Sequence, residues 1–323
     1  MSDSIVTVDI GGTHARFAIA QVEGGRCIAL GEATTLRTSD HASFQRAWQD
    51  FERQQGGTLP RAVAIAVAGP AHGEIIRFTN NPWIIRPALI GEKLNVDRHV
   101  IVNDFEAVGH AVAQADERYF ERLAGPDAPL PASGTISVIG PGTGLGVAHV
   151  WREGRDYRVQ ATEGGHIDFA PLDSMEDAIL ARLRTRHRRV SVERIVSGPG
   201  IVDIYETLAG LEGRAITPLD DRAIWTRAME GDDSLAAAAM ERFCLSLGSV
   251  AGDLALAQGA SGVVIAGGLG LRIRDSLVRS GFPERFVAKG RFENFMAAIP
   301  VKLITHPQPG LFGAAAAFAR DFA

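Results

Sequence analysis

Residues Val6–Ala20 read VTVDIGGTHARFAIA. Ile5, Val6, Thr7 and Val8 favour an extended chain, since branching at Cβ suits a pleated surface, and an acid, Asp9, follows them. Gly11-Gly12-Thr13 makes a tight turn, and apolar residues resume at Phe17, Ala18 and Ile19. Strand, glycine turn and strand make a hairpin. Without a Cβ, glycine lets backbone N–H groups converge on one concavity. Such a nest suits an anionic oxygen, and Thr13 adds a hydroxyl donor. Asp9 stands where it can hold a metal ion or its waters beside that anion. Taken alone, the stretch is equally well an ordinary hairpin with a Gly-Gly turn.

A second copy decides between the two. Ser137 to Val150 reads SVIGPGTGLGVAHV, and a shift of 130 positions lays Val8 on Val138, Gly12 on Gly142, Thr13 on Thr143 and Ala18 on Ala148. Two such hairpins point to an internal duplication with a nucleotide between the halves. The pairing resembles the actin-like ATPase and sugar kinase superfamily. That resemblance implies an α/β chain with a duplicated, ribonuclease H-like fold and two domains around a central cleft. No G-x-x-x-x-G-K-[ST] occurs, which excludes a P-loop. The glycines lead into a strand rather than a helix, unlike a dinucleotide fingerprint.

The 323 residues suffice for two domains. With 46% hydrophobic and 22% charged residues the composition is that of a soluble globular enzyme. The net charge of −5 speaks against a nucleic-acid partner. Cys27 and Cys244 are far apart and lack metal-ligand spacing, so a cytoplasmic protein without disulfides is expected. No signal peptide and no membrane span is expected, because strand residues begin by Ile5 and no apolar run approaches the roughly 20 residues that a span needs.

Further along, Arg26–Leu36 reads as a third strand. Phe44, Ala47, Trp48 and Phe51 mark an amphipathic helix ended by Gly56-Gly57. The apolar run Arg61–Ala68 suits a strand buried on both faces, ending at Gly69-Pro70 where open sheets place ligands. The stretch Phe78 to Trp83 is either a surface turn or a sugar-binding rim, with Asn80, Asn81 and the Trp83 indole available. His99–Asn103 is a strand that ends in Asn103-Asp104, and a helix follows over Phe105–Phe120. Asp104 there is either a helix cap or a functional acid. Gly125–Gly134 reads as the loop between the halves. Glu163-Gly164-Gly165-His166 packs an acid and an imidazole around two glycines beside a strand, and Glu193 precedes the turn Ser197–Gly200. The basic run Arg182–Arg189 reads as a solvated helix face. Ser234–Gln258 reads as a long helix. Ser261–Gly270 is a buried strand ending in Gly267-Gly268, which either packs closely or admits a flat base. Arg285–Met296 is expected to be one helix, Val301–Thr305 a strand, and Gly310–Phe322 the last helix.

The stretches DIGGTHARFA, VNDFEAVGHA, GPGTGLGVAH, EGGHIDFAP, ERIVSGPGIVDIYE and AGGLG resemble the bacterial glucokinases of the hexokinase-type sugar kinase group. With the closing PGLFGAAAAF, the resemblance covers nearly the whole chain. It implies a small domain of residues 1–108 and 306–323 and a large domain of residues 109–305. It implies ATP-dependent phosphorylation of glucose at the 6-hydroxyl, with Asp104 as catalytic base. By the same resemblance Asn103, Glu163, His166 and Glu193 grip sugar hydroxyls. Gly11, Gly12, Thr13, Gly142 and Thr143 cradle phosphates, Gly267 and Gly268 meet adenosine, and Asp9 lies near Mg²⁺, through water. A homodimer is expected as well. The alternatives are a kinase for fructose, mannose or N-acetylmannosamine, and a sugar-responsive regulator without catalysis, against which the retained Asp104 argues. Related sugar kinases and repressors carry a zinc-binding cysteine cluster after the Gly-His pair. None falls in Asp168–Val190 here, so no zinc is expected. With Met1 to Ser4 ahead of the first strand, no DNA-binding domain of the repressor kind is expected.

Overall fold

The glycine turn joins strands β1 (Asp3–Ile10) and β2 (His14–Glu23), which pair antiparallel with Ile10 opposite Ala15. The expected strand Arg26–Leu36 is two, β3 (Arg26–Leu30) and β4 (Thr34–Arg37). Both pair with β2, and the Gly31 N–H, donating to the Ile19 carbonyl at 2.8 Å, marks the break. Then come β5 (Ala62–Val67), the short ribbon of β6 (Ile76–Arg77) and β7 (Ile84–Ile85), and β8 (Arg98–Asn103). The sheet order is β3-β2-β1-β5-β8, with β5 parallel to both neighbours. This is a computed structural model, and it describes residues 2–78 and 80–323; Thr79, within the expected sugar rim, lies outside the described residues, as does Met1.

Strand β5 shows why the sheet takes a different partner on each face. Its sequence AVAIAV is buried throughout. Alternation sends Val63, Ile65 and Val67 toward Phe44, Trp48 and Phe51 of the amphipathic helix Phe44–Gln54. Ala62, Ala64 and Ala66 face the alanines 314–317 of the C-terminal helix Pro309–Asp321. Large side chains fill one layer, while methyl groups on the other bring a helix close. The helix Asp104–Gln114 packs on the same C-terminal helix, and Gly313 lies directly against the Ala107 carbonyl.

The second set of strands is β9 (Phe120–Ala124), β10 (Ser133–Pro141), β11 (Leu145–Glu153), β12 (Asp156–Thr162), β13 (Ala260–Ile265) and β14 (Val301–Ile304), in the order β12-β11-β10-β13-β14-β9. An antiparallel hairpin followed by two parallel neighbours repeats the first sheet. The shift of 130 does not survive in register: Ala18 faces Thr7, whereas Ala148 faces Val138 rather than Ser137. The turns differ in length, Gly11 to His14 in one and Gly142 to Gly144 in the other, so the returning strand slips by one residue.

The chain divides into two compact units. One takes the residues up to Asp116, with Val159–Ala161 and His306–Ala323, and the other takes Glu117–Arg158 and Thr162–Thr305. The boundary read from sequence at 108/109 lies inside the helix Asp104–Gln114. That helix stops short of the expected Phe120, because Phe120 pairs with Ile304 as the start of β9. The expected loop 125–134 is shorter, because β10 already begins at Ser133, and it sits within the second unit. The helix Ser234–Gln258 is continuous and ends on Gly259 at φ 61. The expected helix Arg285–Met296 is instead broken into Phe282–Val287, a short turn Gly290–Phe292 and Glu293–Ala297, with Gly290 at φ 56. Among the described residues no helix is long and apolar enough to cross a membrane.

Candidate active site

In the first unit, the backbone carbonyls of the glycine turn are all occupied. The Gly11 carbonyl accepts from Asn81 Nδ2 at 3.1 Å, and the Gly12 carbonyl from Thr38 Oγ1 at 2.9 Å. The Thr13 carbonyl accepts from the Thr38 N–H at 3.0 Å, and the Gly11 N–H closes the turn on the His14 carbonyl at 2.9 Å. Asn81 is buried, and its Oδ1 accepts from the Trp83 N–H at 2.9 Å. Its amide therefore braces the turn. Asn80 is exposed and stands against Gly12, where a Cβ would lie 3.1 Å from the Asn80 Cβ. The indole of Trp83 is not available to a sugar ring: it is 1% exposed and donates to the His41 carbonyl at 2.8 Å. Large aromatic area and a satisfied N–H hold it in the core.

Two carboxylates of this unit lie close enough for one to feel the other's charge. Asp9, next to last in β1, lies opposite Arg16, whose Nη1 is 3.3 Å from Asp9 Oδ2. Burial raises the Asp9 pKa, and the Arg16 charge and hydrogen bond oppose that rise. A Cβ on Gly310, at the head of the C-terminal helix, would lie 2.8 Å from Asp9 Oδ2, so only glycine leaves room for this carboxylate. Asp104 is the first residue of its helix, and the cap is Asn103. Asn103 Oδ1 accepts from Phe105 and Glu106, Glu106 returns a bond to the Asn103 N–H, and Asn103 Nδ2 donates to the Gly69 carbonyl at 3.0 Å. The capping role thus belongs to the neighbour, which leaves Asp104 for other work. Its pKa is pushed up to about 6, first by burial and then by the Asp9 charge; hydrogen bonds from the Phe105 and Asp104 N–H groups and the Asn103 side chain pull the other way. A carboxylate so tuned accepts a proton near neutral pH.

The second unit gathers the remaining candidates around the second turn. The Gly142 carbonyl accepts from the Gly198 N–H at 2.7 Å, and the Gly198 carbonyl from the Trp225 indole at 2.9 Å. Glu193 Oε2 accepts from the Leu145 N–H at 2.9 Å, so this acid grips the turn's far side. A Cβ on Gly144 would collide with the Glu193 carboxylate. Thr143 is exposed at the tip. Gly165 lies against Leu145 and Gly164 against Val147, which lays the Glu163–His166 segment on β11. The Glu163 and His166 side chains are open to solvent, with His166 Nε2 3.9 Å from Glu163 Oε2. Gly267, at φ +87, begins the short helix Gly267–Arg272 next to the Pro141 carbonyl, and Gly268 meets open space.

The candidate residues thus form two groups, one per unit. Thr38 and Gly310 escaped the sequence reading, because nothing local marks a threonine or glycine that acts on a distant turn. Arg16 was passed over as well, although a hairpin with this turn length places it opposite Asp9. Among the described residues no group of three or more His, Cys, Asp or Glu converges as a metal site, and Asp9 with Asp104 is an acidic pair of the first unit.

The sequence pattern of the glucokinase family matches residues 6–321. The chain belongs to the glucokinase family. It is 62% identical to the glucokinase of Zymomonas mobilis over 318 residues, 98% of each chain. A solved glucokinase from an Antarctic psychrotroph superposes with a TM-score of 0.86 at 33% identity, covering 98% of each chain. A glucokinase from Balamuthia mandrillaris, solved with glucose, is similar in fold at TM-score 0.79 and 20% identity, over 99% of this chain and 94% of that one. The expected actin-like kinase fold is borne out, and the enzyme is a glucokinase in activity, phosphorylating glucose with ATP.

Proposed function

We propose that Asp104 takes the proton of the glucose 6-hydroxyl as that oxygen attacks the γ-phosphoryl group of ATP. The single observation that carries this is a half-buried carboxylate with its pKa near 6, within reach of the Asp9 charge and freed from capping by Asn103. Phosphoryl transfer demands positioning and charge neutralisation more than covalent chemistry. The turns at Gly11, Gly12 and Thr13 and at Gly142 and Thr143 supply N–H groups for phosphates, and Gly267 and Gly268 leave the backbone open to adenosine. Glu163, His166 and Glu193 accept or share the sugar's hydroxyl hydrogens; charge-assisted bonds of this kind reject sugars that lack the matching hydroxyl. Asn103 keeps one amide hydrogen beyond the bond to Gly69, and Asn80 is exposed beside the turn, so both remain in the sugar set. Asn81 acts on the turn instead.

Mg²⁺ fits the first unit. Asp9, next to the turn, is a hard oxygen donor that would hold the ion through water, and such an ion usually takes one or two carboxylates with water and phosphate. When bound with ATP it neutralises phosphate charge. A cytoplasmic homodimer without nucleic-acid or membrane partners completes the reading. Two buried free thiols support the cytoplasmic part, and three of the five arginines in the basic run are paired, Arg182 with Glu206, Arg186 with Asp203 and Arg189 with Asp168, which supports the absence of a nucleic-acid partner.

The test is the pH profile of kcat/KM for glucose, which reports ionisations of the free enzyme. A base must be ionised, so activity falls as pH drops through about 6 and is flat just above it. A profile flat down to pH 5 would remove Asp104 from the role. Glu163→Gln, at an exposed position, leaves Tm unchanged and weakens glucose binding by roughly 10- to 150-fold, the value of one charge-assisted bond. Calorimetric titration showing wild-type glucose affinity would take Glu163 out of the sugar site.

A further inference from the structure

We propose that Thr38 is a positioning residue for ATP, holding the first glycine turn so that its amides face the phosphates. The inference rests on the reading of that turn as a phosphate cradle. Thr38 is 3% exposed and grips the turn twice, through its hydroxyl on the Gly12 carbonyl and its N–H on the Thr13 carbonyl. A peptide unit is planar, so fixing a carbonyl fixes the N–H of the next residue on the opposite side. The Gly12 carbonyl bond therefore orients the Thr13 amide, and the Asn81 bond to the Gly11 carbonyl orients the Gly12 amide. Among the described residues the N–H groups of Gly12 and Thr13 have no hydrogen-bond partner. Two adjacent glycines are otherwise the least constrained pair a chain can offer. Donors that are already aimed need no ordering when the anion arrives.

The second turn is held by the same device with different parts. There the Gly142 carbonyl is pinned by the Gly198 N–H, and the Trp225 indole holds Gly198 in turn. Thr38 itself is anchored on both sides. It sits in the short turn Thr38–Asp40 just after β4, and His41 follows. The His41 ring lies 3.0 Å from the Arg37 carbonyl and 3.1 Å from Asp50 Oδ2, and its carbonyl takes the Trp83 indole hydrogen. Both routes to the turn, Thr38 and Asn81–Trp83, thus share one anchor.

The experiment measures binding of Mg²⁺ with the β,γ-imido analogue of ATP, and separately of glucose, by titration calorimetry on Thr38→Val, Thr38→Ser and Gly12→Ala. Valine keeps the shape and removes the hydroxyl. Thr38→Val weakens nucleotide binding by about five- to tenfold, the range for one lost hydrogen bond, with glucose affinity unchanged. Thr38→Ser restores the hydroxyl and the wild-type affinity. In assays KM for ATP rises while KM for glucose holds. Wild-type nucleotide affinity in Thr38→Val, alongside weakened binding in Gly12→Ala, overturns the positioning role and keeps the cradle. Unchanged nucleotide affinity in Gly12→Ala overturns the cradle and the inference with it. Equal losses for nucleotide and glucose in Thr38→Val, with a lower Tm and no rescue by serine, show a merely structural residue and also overturn it.

Discussion

Asp104→Asn lowers kcat by about 10²-fold or more, the usual contribution of a placed general base, and leaves the melting temperature unchanged or higher. Asparagine matches aspartate in size and keeps the oxygen that accepts from Phe105. It cannot take up a proton. The helix cap is untouched, because Asn103 and Glu106 form it. The stability half follows from the ionisation. The folded-state pKa of Asp104 lies above the usual carboxylate value, so its ionised form costs folding energy at neutral pH. That cost is absent below the unfolded pKa and complete above about 6, and at 1.36 kcal/mol per unit it amounts to roughly 2–3 kcal/mol before solvent screening. Removing the charge removes the cost. Kinetics together with thermal melts check both halves. Near wild-type kcat would end the catalytic assignment, and a clear drop in Tm would mean that the carboxylate holds the fold together after all.

Gly313→Ala destabilises the first unit by about 1–3 kcal/mol or more, the range for overpacking a close contact. The new methyl group would fall within the shell of the Ala107 carbonyl oxygen and 3.0 Å from the Ala111 nitrogen. Both belong to the helix that begins at Asp104, so any shift to make room is passed along that helix toward Asp104. The C-terminal helix cannot simply retreat, because its alanines 314–317 are buried on β5. Gly210→Ala is the matched control: it lies in a helix, is exposed, and a Cβ there meets nothing within 4 Å. Alanine there is neutral or stabilising by up to about 1 kcal/mol, from helix propensity alone. Urea unfolding of both variants tests the contrast, and equal stabilities would show that the helix pair yields without cost.

What the sequence by itself determined is the part that rests on local chemistry and repetition. Alternating β-branched residues around Gly11-Gly12-Thr13, met again around Gly142-Thr143, specify two hairpins, and their repetition specifies a duplicated sheet. The buried run of β5 and the alanine-rich last helix were legible for the same reason, since each is set by a periodicity internal to the segment. Element ends were less so: Phe120 carries helical company in sequence but pairs with Ile304, a choice made by a strand that arrives from the far end of the chain. The roles of polar side chains were decided in three dimensions. Asn103 caps, Asn81 and Trp83 brace, and Glu193 ties down Leu145, because each buried donor or acceptor takes the partner that packing leaves within reach. Thr38 reaches Gly12, and Gly310 makes way for Asp9, over separations that no spacing rule spans. The pKa of Asp104 is of this kind as well: burial and the nearness of Asp9 set it, and both exist only once β1 and β8 lie in one sheet.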